Sequence, residues 1–185
     1  MNKLPDSFEM DKYGLRFRFV KEEDAEFIIQ LRTDSRLNRY INKIENNVEA
    51  QKDWIRAYKQ REREGTDYYF IVFHNLEPCG LIRIYDITNE SFTSGSWIFK
   101  QNCDFRVPIL ADIAITSLAY KLFPEKSHVF DVRKENKNVL KYHKSFNPVL
   151  IKEDELNYYF MLPQGNFEKG KKDKLKLLGV DADMG

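Results

Sequence analysis

A long apolar segment, Val107 to Phe123, places the strongest constraint on what this chain can fold into. Its apolar residues recur every three or four positions, which predicts a helix with one broad buried face. Pro108 suits the first turn of that helix, where no backbone N–H is required, and Pro124 ends it. The flanking patterns, Ser94 to Phe99 and His128 to Arg133, are typical of strands. We expect this βαβ unit to be a right-handed crossover between parallel strands.

Further segments carry helix or strand patterns on both sides of this unit. Strands are predicted at Leu15 to Val20, Tyr68 to Phe73, Cys79 to Tyr85 and Asn157 to Leu162, and helices from Lys21, over Val48 to Arg63 and over Asn138 to Phe146. The fold class is therefore α/β (α+β), with a mixed, mostly antiparallel sheet flanked by helices around the central crossover. The crevice at the carboxyl ends of the two crossover strands is the expected ligand site.

The length of 185 residues suits one compact domain. We assign residues 15–162 to that domain. Residues 1–14 are expected to form a loosely ordered leader. Residues 163–185 are lysine-rich and are expected to be a flexible tail or a short peripheral helix.

Charge and cysteine content exclude several classes of function. Thirty Lys and Arg residues balance 29 Asp and Glu residues, so no charge excess would attract a nucleic acid or an anionic membrane. Cys79 and Cys103 lack metal-ligand spacing, and no metal site is expected. No apolar run approaches the roughly 18 residues that span a bilayer, and the N-terminus lacks a signal-peptide pattern. We expect a cytoplasmic protein that binds neither nucleic acid nor membrane.

Three passages carry a family resemblance, and their order along the chain makes it specific. They are LRFRFVKEEDAEFIIQLR from Leu15, GSWIFKQNCDFRVP from Gly95 and VRKENKNVLKYHKSFNP from Val132. The region from Leu15 to Leu162 resembles the GNAT superfamily of acyl-CoA N-acyltransferases, in particular the branch with the ribosomal-protein alanine N-acetyltransferases. The resemblance implies that acetyl-CoA is the cosubstrate and that an amine is the acceptor.

The pyrophosphate loop departs from the family pattern. The family uses Arg/Gln-x-x-Gly-x-Gly/Ala before its long helix, because backbone N–H groups and the helix N-terminus hold the phosphates. The matching window, Cys103 to Pro108, has no glycine, contains Asp104 and ends on a residue without an N–H group. Arg106 either contacts phosphate instead or is a solvated loop residue. The cofactor-binding residues that the resemblance implies are Ile98, Phe99, Lys100, Phe105, Arg106, Val107 and Asn136. Ile98 or Phe99 would supply the backbone N–H that polarises the thioester carbonyl, on a strand that splays from its neighbour.

His143 is the leading catalytic candidate. The resemblance aligns it with the family tyrosine that protonates the leaving thiolate, and an imidazole suits proton transfer near neutral pH. The alternative is a surface histidine on a short helix. Asn136 aligns with the family asparagine and either binds the pantetheine arm or terminates a strand.

The remaining site residues are expected by analogy with the family. Asp86 and Glu90, after the third predicted strand, are candidates for the general base. Arg32, Arg36, Arg39 and Tyr40 follow the first helix, where the family forms its acceptor pocket; the alternative is a solvated basic loop.

Two functions remain open at this point. The first is an acetyl-CoA-dependent N-acetyltransferase acting on a protein N-terminus, a polyamine or an amino sugar. The weak charge bias of the chain favours a small-molecule amine over a macromolecule. The second is a GNAT-fold protein that has lost catalysis and acts as a binding or assembly module, as the missing glycines suggest. A homodimer through sheet edges is compatible with either function.

Overall fold

The structure, a computed structural model, describes residues 3–41 and 43–181. Within these ranges the strands are β1 (Glu9–Lys12), β2 (Leu15–Phe19), β3 (Tyr68–His74), β4 (Glu77–Tyr85), β5 (Ser91–Phe99), β6 (Ser127–Arg133), β7 (Val149–Glu153) and β8 (Asn157–Leu162). The helices are α1 (Ala25–Thr33), α2 (Val48–Glu64), α3 (Arg106–Leu122), α4 (Lys137–Lys144) and α5 (Gln164–Leu177). A 3-10 turn at Glu22–Asp24 leads into α1.

The strands form one sheet in the order β1-β2-β3-β4-β5-β6-β8-β7. All neighbouring pairs are antiparallel except β5 and β6, which are parallel and are joined by α3. The predicted α/β class, the mixed sheet and the central parallel βαβ unit are confirmed. The sheet therefore changes direction at β5 and β6, where ligands usually bind in open α/β sheets.

Two apolar layers cover the two faces of the sheet, and β3 shows how they arise. Phe70 and Val72 belong to a core that includes α3, whereas Tyr69 and Ile71 belong to a second core with α1 and α2. Alternate residues of a strand point to opposite faces, so a continuous apolar run such as this one is buried on both sides. The central strands are consequently enclosed between helices.

Helix ends follow local sequence signals. Asn47 caps α2, since its side chain accepts a hydrogen bond from the N–H of Ala50. Gly65 ends the same helix in the left-handed conformation, with φ +74°. Asn147 is also left-handed, with φ +52°, and follows α4 as its sequence predicts.

Both ends of the chain are more ordered than their sequences suggest. The leader expected at residues 1–14 contains β1, which pairs with β2 along its whole length. The tail expected at 163–185 forms α5 over most of its described part, and Phe167 and Leu175 are buried in the core. A Cβ on Gly170 would lie 2.5 Å from a carbon of the Phe146 ring, so α5 lies directly against the segment after α4. Residues 1, 2 and 182–185 lie outside the described residues.

Strand β7 lacks a sequence signal and was not predicted. All five of its residues are exposed, and it forms the outer edge of the sheet beside β8. None of the helices in the two described ranges is long and apolar enough to cross a membrane.

Candidate active site

A cleft opens between β5 and β6. The parallel pairing joins Ser91 to Ser127 and Phe92 to His128, at the start of both strands. Beyond this point the strands diverge, and a cavity of about 350 Å³ lies between them. The splay expected from the family resemblance is therefore present.

His128 explains why the strands part where they do. The backbone N–H of Ser94 donates to His128 Nε2 at 3.3 Å, so a side chain takes a donor that a continuing ladder would use. The Ser94 hydroxyl is 2.6 Å from Thr116 Oγ1 on α3, which fixes β5 to that helix. Burial lowers the pKa of His128 to about 3, so the ring is neutral and its Nε2 accepts. His128 is structural, as its place at the start of a strand suggests.

An irregularity in β5 lies at the same point. Leu81 of β4 pairs with Ile98 and Arg83 pairs with Gly95, which leaves one extra residue on β5. Ser96 has φ +48°, a left-handed conformation that is uncommon outside glycine. Such bulges redirect a strand and its backbone groups. Here the bulge lies in the part of β5 that lines the cleft.

The residues that line the cleft come from both strands, from α1 and the loop after it, and from α4. They are Arg32, Tyr40, Ile41, Arg83, Tyr85, Thr93, Ser94, Gly95, Ser96, Trp97, Phe130, Asp131, Val132, Arg133, Asn136, Val139, His143 and Asn157. Three arginines and one carboxyl group are among them, which gives the cleft a positive balance.

His143 lines the cleft from α4 and is only 8% exposed. Its ring lies between two aromatic rings, with centroid distances of 4.7 Å to Phe130 and 5.1 Å to Tyr142. Burial, with a smaller effect from the charge of Lys174, lowers the pKa of His143 to about 4. The side chain is therefore a buried, neutral imidazole at the cleft rather than a surface histidine.

A buried polar pair supports the helix that carries His143. The Tyr142 hydroxyl donates to Asp112 Oδ2 at 2.7 Å and thereby joins α4 to α3. Asp112 Oδ1 is buried without a hydrogen-bond partner in the described part of the chain. Burial raises the pKa of Asp112 to about 6, although the Tyr142 hydrogen bond opposes this.

Asn136 and Tyr40 connect the cleft to the surrounding loops. The Asn136 side chain accepts a hydrogen bond from the N–H of Val139 at 3.4 Å and caps α4. The Tyr40 hydroxyl donates to the backbone carbonyl of Glu135 at 3.2 Å. The segment after α1 is thus joined to the segment before α4 at the cleft.

The acceptor-side arginines that the resemblance implies divide into two groups. Arg32 lines the cleft together with Tyr40. Arg36 instead pairs with Asp34, whose Oδ2 lies 2.6 Å from Arg36 Nη2, and Arg39 lies over the Tyr40 ring. Both Arg36 and Arg39 are exposed outside the lining of the cleft.

The two expected general bases also lie outside the lining of the cleft. Asp86 follows β4 and Glu90 precedes β5, and both are exposed. Asp86 has φ +49°, which turns the chain sharply after β4.

Asp104 lies just before the N-terminus of α3, where the pyrophosphate loop was expected. Its carboxylate accepts hydrogen bonds from the backbone N–H of Arg106 at 2.9 Å and from Arg106 Nη2 at 2.7 Å. Hydrogen bonds from the Arg106 side chain and backbone lower the pKa of Asp104 to about 2. An internal anion therefore lies where the family resemblance places the phosphates, and it engages the arginine expected to replace the lost glycines.

The other residues implied for cofactor binding surround this loop. Ile98 and Phe99 are buried and pair with Leu81 and Gly80 of β4, so the cleft lining from β5 precedes them. The backbone N–H of Lys100 bonds to the Cys79 carbonyl. Phe105 is 75% exposed before the start of α3, and Val107 is buried in its first turn.

Sequence reasoning missed eight polar residues of the cleft lining, among them Arg133 at the end of β6 and Asn157 at the start of β8. Arg83 and Tyr85 on β4 and Asp131 on β6 read as ordinary half-solvated strand positions. Asp67 holds Arg83, with 2.6 Å between Asp67 Oδ2 and Arg83 Nη2. Their position beside the expected crossover crevice was the available signal.

The geometry is suited to an extended ligand that crosses the sheet. The β5 backbone from Thr93 to Trp97 lies along one side of the cleft, and α4 contributes a neutral imidazole. Arginines and tyrosines from α1, its loop and β4 provide polar contacts for a second, anionic ligand.

Comparison with known proteins identifies the family. A family model described as "Acetyltransferase (GNAT) domain" matches residues 14–145. Among solved structures, apo FdhC, described as a nucleotide-linked sugar GNAT, is 32% identical, with a TM-score of 0.80 over 91% of this chain and 97% of that chain. No curated protein sequence matches the chain significantly.

Two more distant structures share the fold. The ribosomal-protein-S5-alanine acetyltransferase from Vibrio fischeri is 13% identical, with a TM-score of 0.70 over 84% of this chain and 95% of that chain. The N-acetyltransferase PseH from Campylobacter jejuni, solved in complex with acetyl coenzyme A, is 21% identical, with a TM-score of 0.62 over 81% and 99%. The divergent strands, the extent of the family match and the 32% identity over nearly the whole chain lead to one conclusion: this chain belongs to the GNAT family and is an N-acetyltransferase.

Proposed function

We propose that this enzyme transfers the acetyl group of acetyl-CoA to the primary amine of a small molecule, and that the acceptor is an amino sugar linked to a nucleotide. The observation that carries the proposal is the set of three arginines, Arg32, Arg83 and Arg133, in a lining with a single carboxyl group. Asp67, which is outside the lining, fixes the guanidinium of Arg83. Arginine binds phosphate oxygens in a bidentate manner, which suits a nucleotide diphosphate better than a free amino sugar or a polyamine.

The similarity to FdhC supports the same acceptor class. FdhC is described as a nucleotide-linked sugar GNAT, and the identity of 32% extends over 91% of this chain. The ribosomal-protein acetyltransferase is similar at only 13% identity. A protein N-terminus is accordingly the less favoured acceptor.

The residues of the cleft fit acetyl-CoA at its acyl end. The pairing of β5 with β6 ends at Phe92, so the bulged β5 backbone from Thr93 to Trp97 is not paired to β6. The Ser94 N–H bonds to His128, and any other backbone donor of this stretch that faces the cleft is suited to bind a carbonyl or amide. At the phosphate end, Arg106 and the N-terminus of α3 supply positive potential, and Asp104 opposes it. When bound, acetyl-CoA supplies an activated acetyl thioester.

The residues of the cleft have separate roles in acetyl transfer. The backbone of β5 orients the carbonyl, Arg32 and Tyr40 position the acceptor, and the phenyl ring of Phe130 keeps water from His143. His143 supplies the hydrogen bond or proton that a departing thiolate requires. Asn136 holds the start of α4, from which His143 projects.

An acetyl-transfer assay tests the proposed function. Thiol release from acetyl-CoA would be followed with UDP-glucosamine, glucosamine, spermidine and a peptide with an N-terminal alanine. The expected result is that the nucleotide-linked sugar has the highest kcat/KM, with the product confirmed by mass spectrometry. A higher kcat/KM for the peptide or for spermidine would overturn the proposed acceptor class.

A further inference from the structure

Asp131 is the only residue with a carboxyl group among the described residues that line the cleft. It lies on β6, four residues after the position where β5 and β6 start to pair. Every other charged group of the lining is an arginine. A positively charged part of a ligand therefore has one favourable partner in this cleft.

The alternation of β6 places Asp131 on the opposite face of the sheet from His143. Phe130 packs against the His143 ring and belongs to the core that includes α3. Since neighbouring strand residues point to opposite faces, Asp131 projects to the face covered by α1 and α2. Arg83 is on that face as well, where its guanidinium lies over the Trp54 ring of α2.

We propose that Asp131 binds the ammonium group of the acceptor and removes a proton from it, an inference that rests on the proposed function. In this step an N–H bond of the ammonium group breaks and the proton passes to a carboxylate oxygen. The electron pair remains on nitrogen, which becomes a neutral, nucleophilic amine. Asp131 becomes a neutral carboxylic acid and later releases the proton to water.

The groups around Asp131 favour this role. Asp131 is exposed to solvent, and desolvation by the surrounding chain raises the pKa of its carboxyl. Arg133 on the same strand lowers this pKa, and Asp154 and Asp86 raise it. A raised pKa makes a carboxylate a stronger base. Tyr159 of β8 is opposite Asp131 in the sheet, and its hydroxyl donates to Asp154. Burial raises the pKa of the Tyr85 phenol on β4 to about 12, and the negative charge of Asp131 adds to this effect.

No other described group fits this task as well. His143 is on the other face, where its ring packs against Phe130. Asp86 and Glu90 do not line the cleft. The position of Asp131 also sets the route of the acceptor, which must approach from the α1 and α2 side.

Matched variants test the inference through binding before chemistry. UDP-glucosamine carries an amine at C2 of its sugar, where UDP-glucose carries a hydroxyl. The ratio of their affinities therefore measures recognition of the ammonium group. Calorimetric titration without acetyl-CoA, at a pH where the amine is protonated, should show about tenfold tighter binding of UDP-glucosamine to the wild type. The D131N variant should lose this preference, and the D6N variant, which removes an exposed carboxylate outside the lining of the cleft, should keep it.

Kinetics of the same variants provide the second readout. With UDP-glucosamine as acceptor, kcat/KM of D131N should fall by about 100-fold. The kcat/KM of the wild type should decline in acid as Asp131 is protonated. This decline should be absent from the pH profile of D131N. Thermal unfolding of D131N and D6N would verify that both variants are folded.

The outcomes separate this inference from the proposed function. An ammonium preference that D131N retains, or acetyl transfer by D131N at the wild-type rate, would overturn the role of Asp131 and leave the proposed function in place. An Asp131-dependent preference without acetyl transfer to UDP-glucosamine would support the binding role and overturn the proposed acceptor. Binding of neither sugar nucleotide by the wild type would overturn both.

Discussion

At the scale of single residues, the environment of His143 decides what this side chain can do. A buried imidazole between Phe130 and Tyr142 is neutral at pH 7, because its pKa is lowered to about 4. The His143 ring is therefore not protonated before the reaction begins. Negative charge that develops next to the ring would favour its protonated form, so the acid role depends on the reaction itself.

Two substitutions at His143 separate proton transfer from packing. H143F keeps an aromatic ring against Phe130 but removes the donor, and we expect kcat to fall by about 100-fold with little change in KM. H143Y restores a donor of the type that the family uses, and its kcat should exceed that of H143F by at least about tenfold. Steady-state kinetics with the preferred amine measure both. A kcat of H143F equal to that of the wild type would show that His143 only fills space.

The residue-level prediction of the cleft was partial for a physical reason. Asn136 and His143 were assigned through a family motif, Arg32 and Tyr40 by analogy with the family's acceptor pocket, and all four line the cleft. Asp131 was not, because a charged residue between Phe130 and Val132 is what any strand with one solvated face shows. Only the divergence of β5 and β6 turns such a position into part of a site.

At the scale of elements, the N-terminus of α3 is the least usual part of the molecule. A helix N-terminus attracts anions, but Asp104 already supplies one and holds the Arg106 side chain. Phosphate groups bound at this helix end would compete with this carboxylate, which would weaken their binding.

Removing the charge of Asp104 should therefore strengthen acetyl-CoA binding. D104N keeps an acceptor for the Arg106 N–H and removes one negative charge close to the phosphates, so we expect roughly fivefold tighter binding at low salt. The gain should shrink as salt screens the exposed charges. Calorimetric titration at several salt concentrations measures the effect, and R106Q, which removes the cation, should bind more weakly. Weaker binding by D104N would show instead that Asp104 is needed to order the loop.

Most elements were predictable because their signals are local. The alternation in β2, the continuous apolar run of β3, Pro108 in the first turn of α3 and Gly65 at the end of α2 are all signals that span a few residues. Strand β7 was missed since its apolar residues are exposed at a sheet edge, where burial imposes no alternation. Helix α5 was ambiguous because Phe167 and Leu175 alone anchor it among lysines, and that packing is set by distant residues.

At the scale of the whole molecule, buried ionisable groups couple stability to pH. The pKa values of His128 and His143 are lowered to about 3 and about 4 by burial. Both rings take up protons on unfolding below about pH 6.5. Asp112 acts in the opposite sense, since burial raises its pKa to about 6 and the folded state holds its proton longer than the unfolded state. Between about pH 6 and pH 4.5, the unfolded state thus binds one more proton than the folded state.

Stability should accordingly fall as the pH is lowered through this range. The slope for the wild type should be about 1.4 kcal/mol per pH unit, and for D112N about twice that, because the opposing group is removed. At pH 7 the same variant should be more stable than the wild type by about 1–2 kcal/mol, since it no longer buries a carboxylate. Urea unfolding at several pH values measures both quantities. Identical slopes would show that Asp112 does not titrate in this range.

At the cleft, residues from both faces of the sheet lie close to one opening. His143 and α4 lie on the face of α3, and Asp131 with Arg83 lies on the face of α1 and α2. The cleft between β5 and β6 connects these faces. This arrangement allows an acyl donor and an amine to meet from opposite sides, and it depends on acetyl-CoA entering despite the altered loop.

Binding of acetyl-CoA to the wild-type chain is the measurement that tests this account most directly. At about 100 times Kd, a bound ligand adds roughly 2.7 kcal/mol to the free energy of unfolding. In a domain of this size the midpoint of thermal unfolding should then rise by roughly 5–10 °C. The account predicts this shift together with a saturable heat in calorimetric titration. An unchanged midpoint and no heat of binding would contradict it, and would favour a GNAT fold that serves only as a binding module.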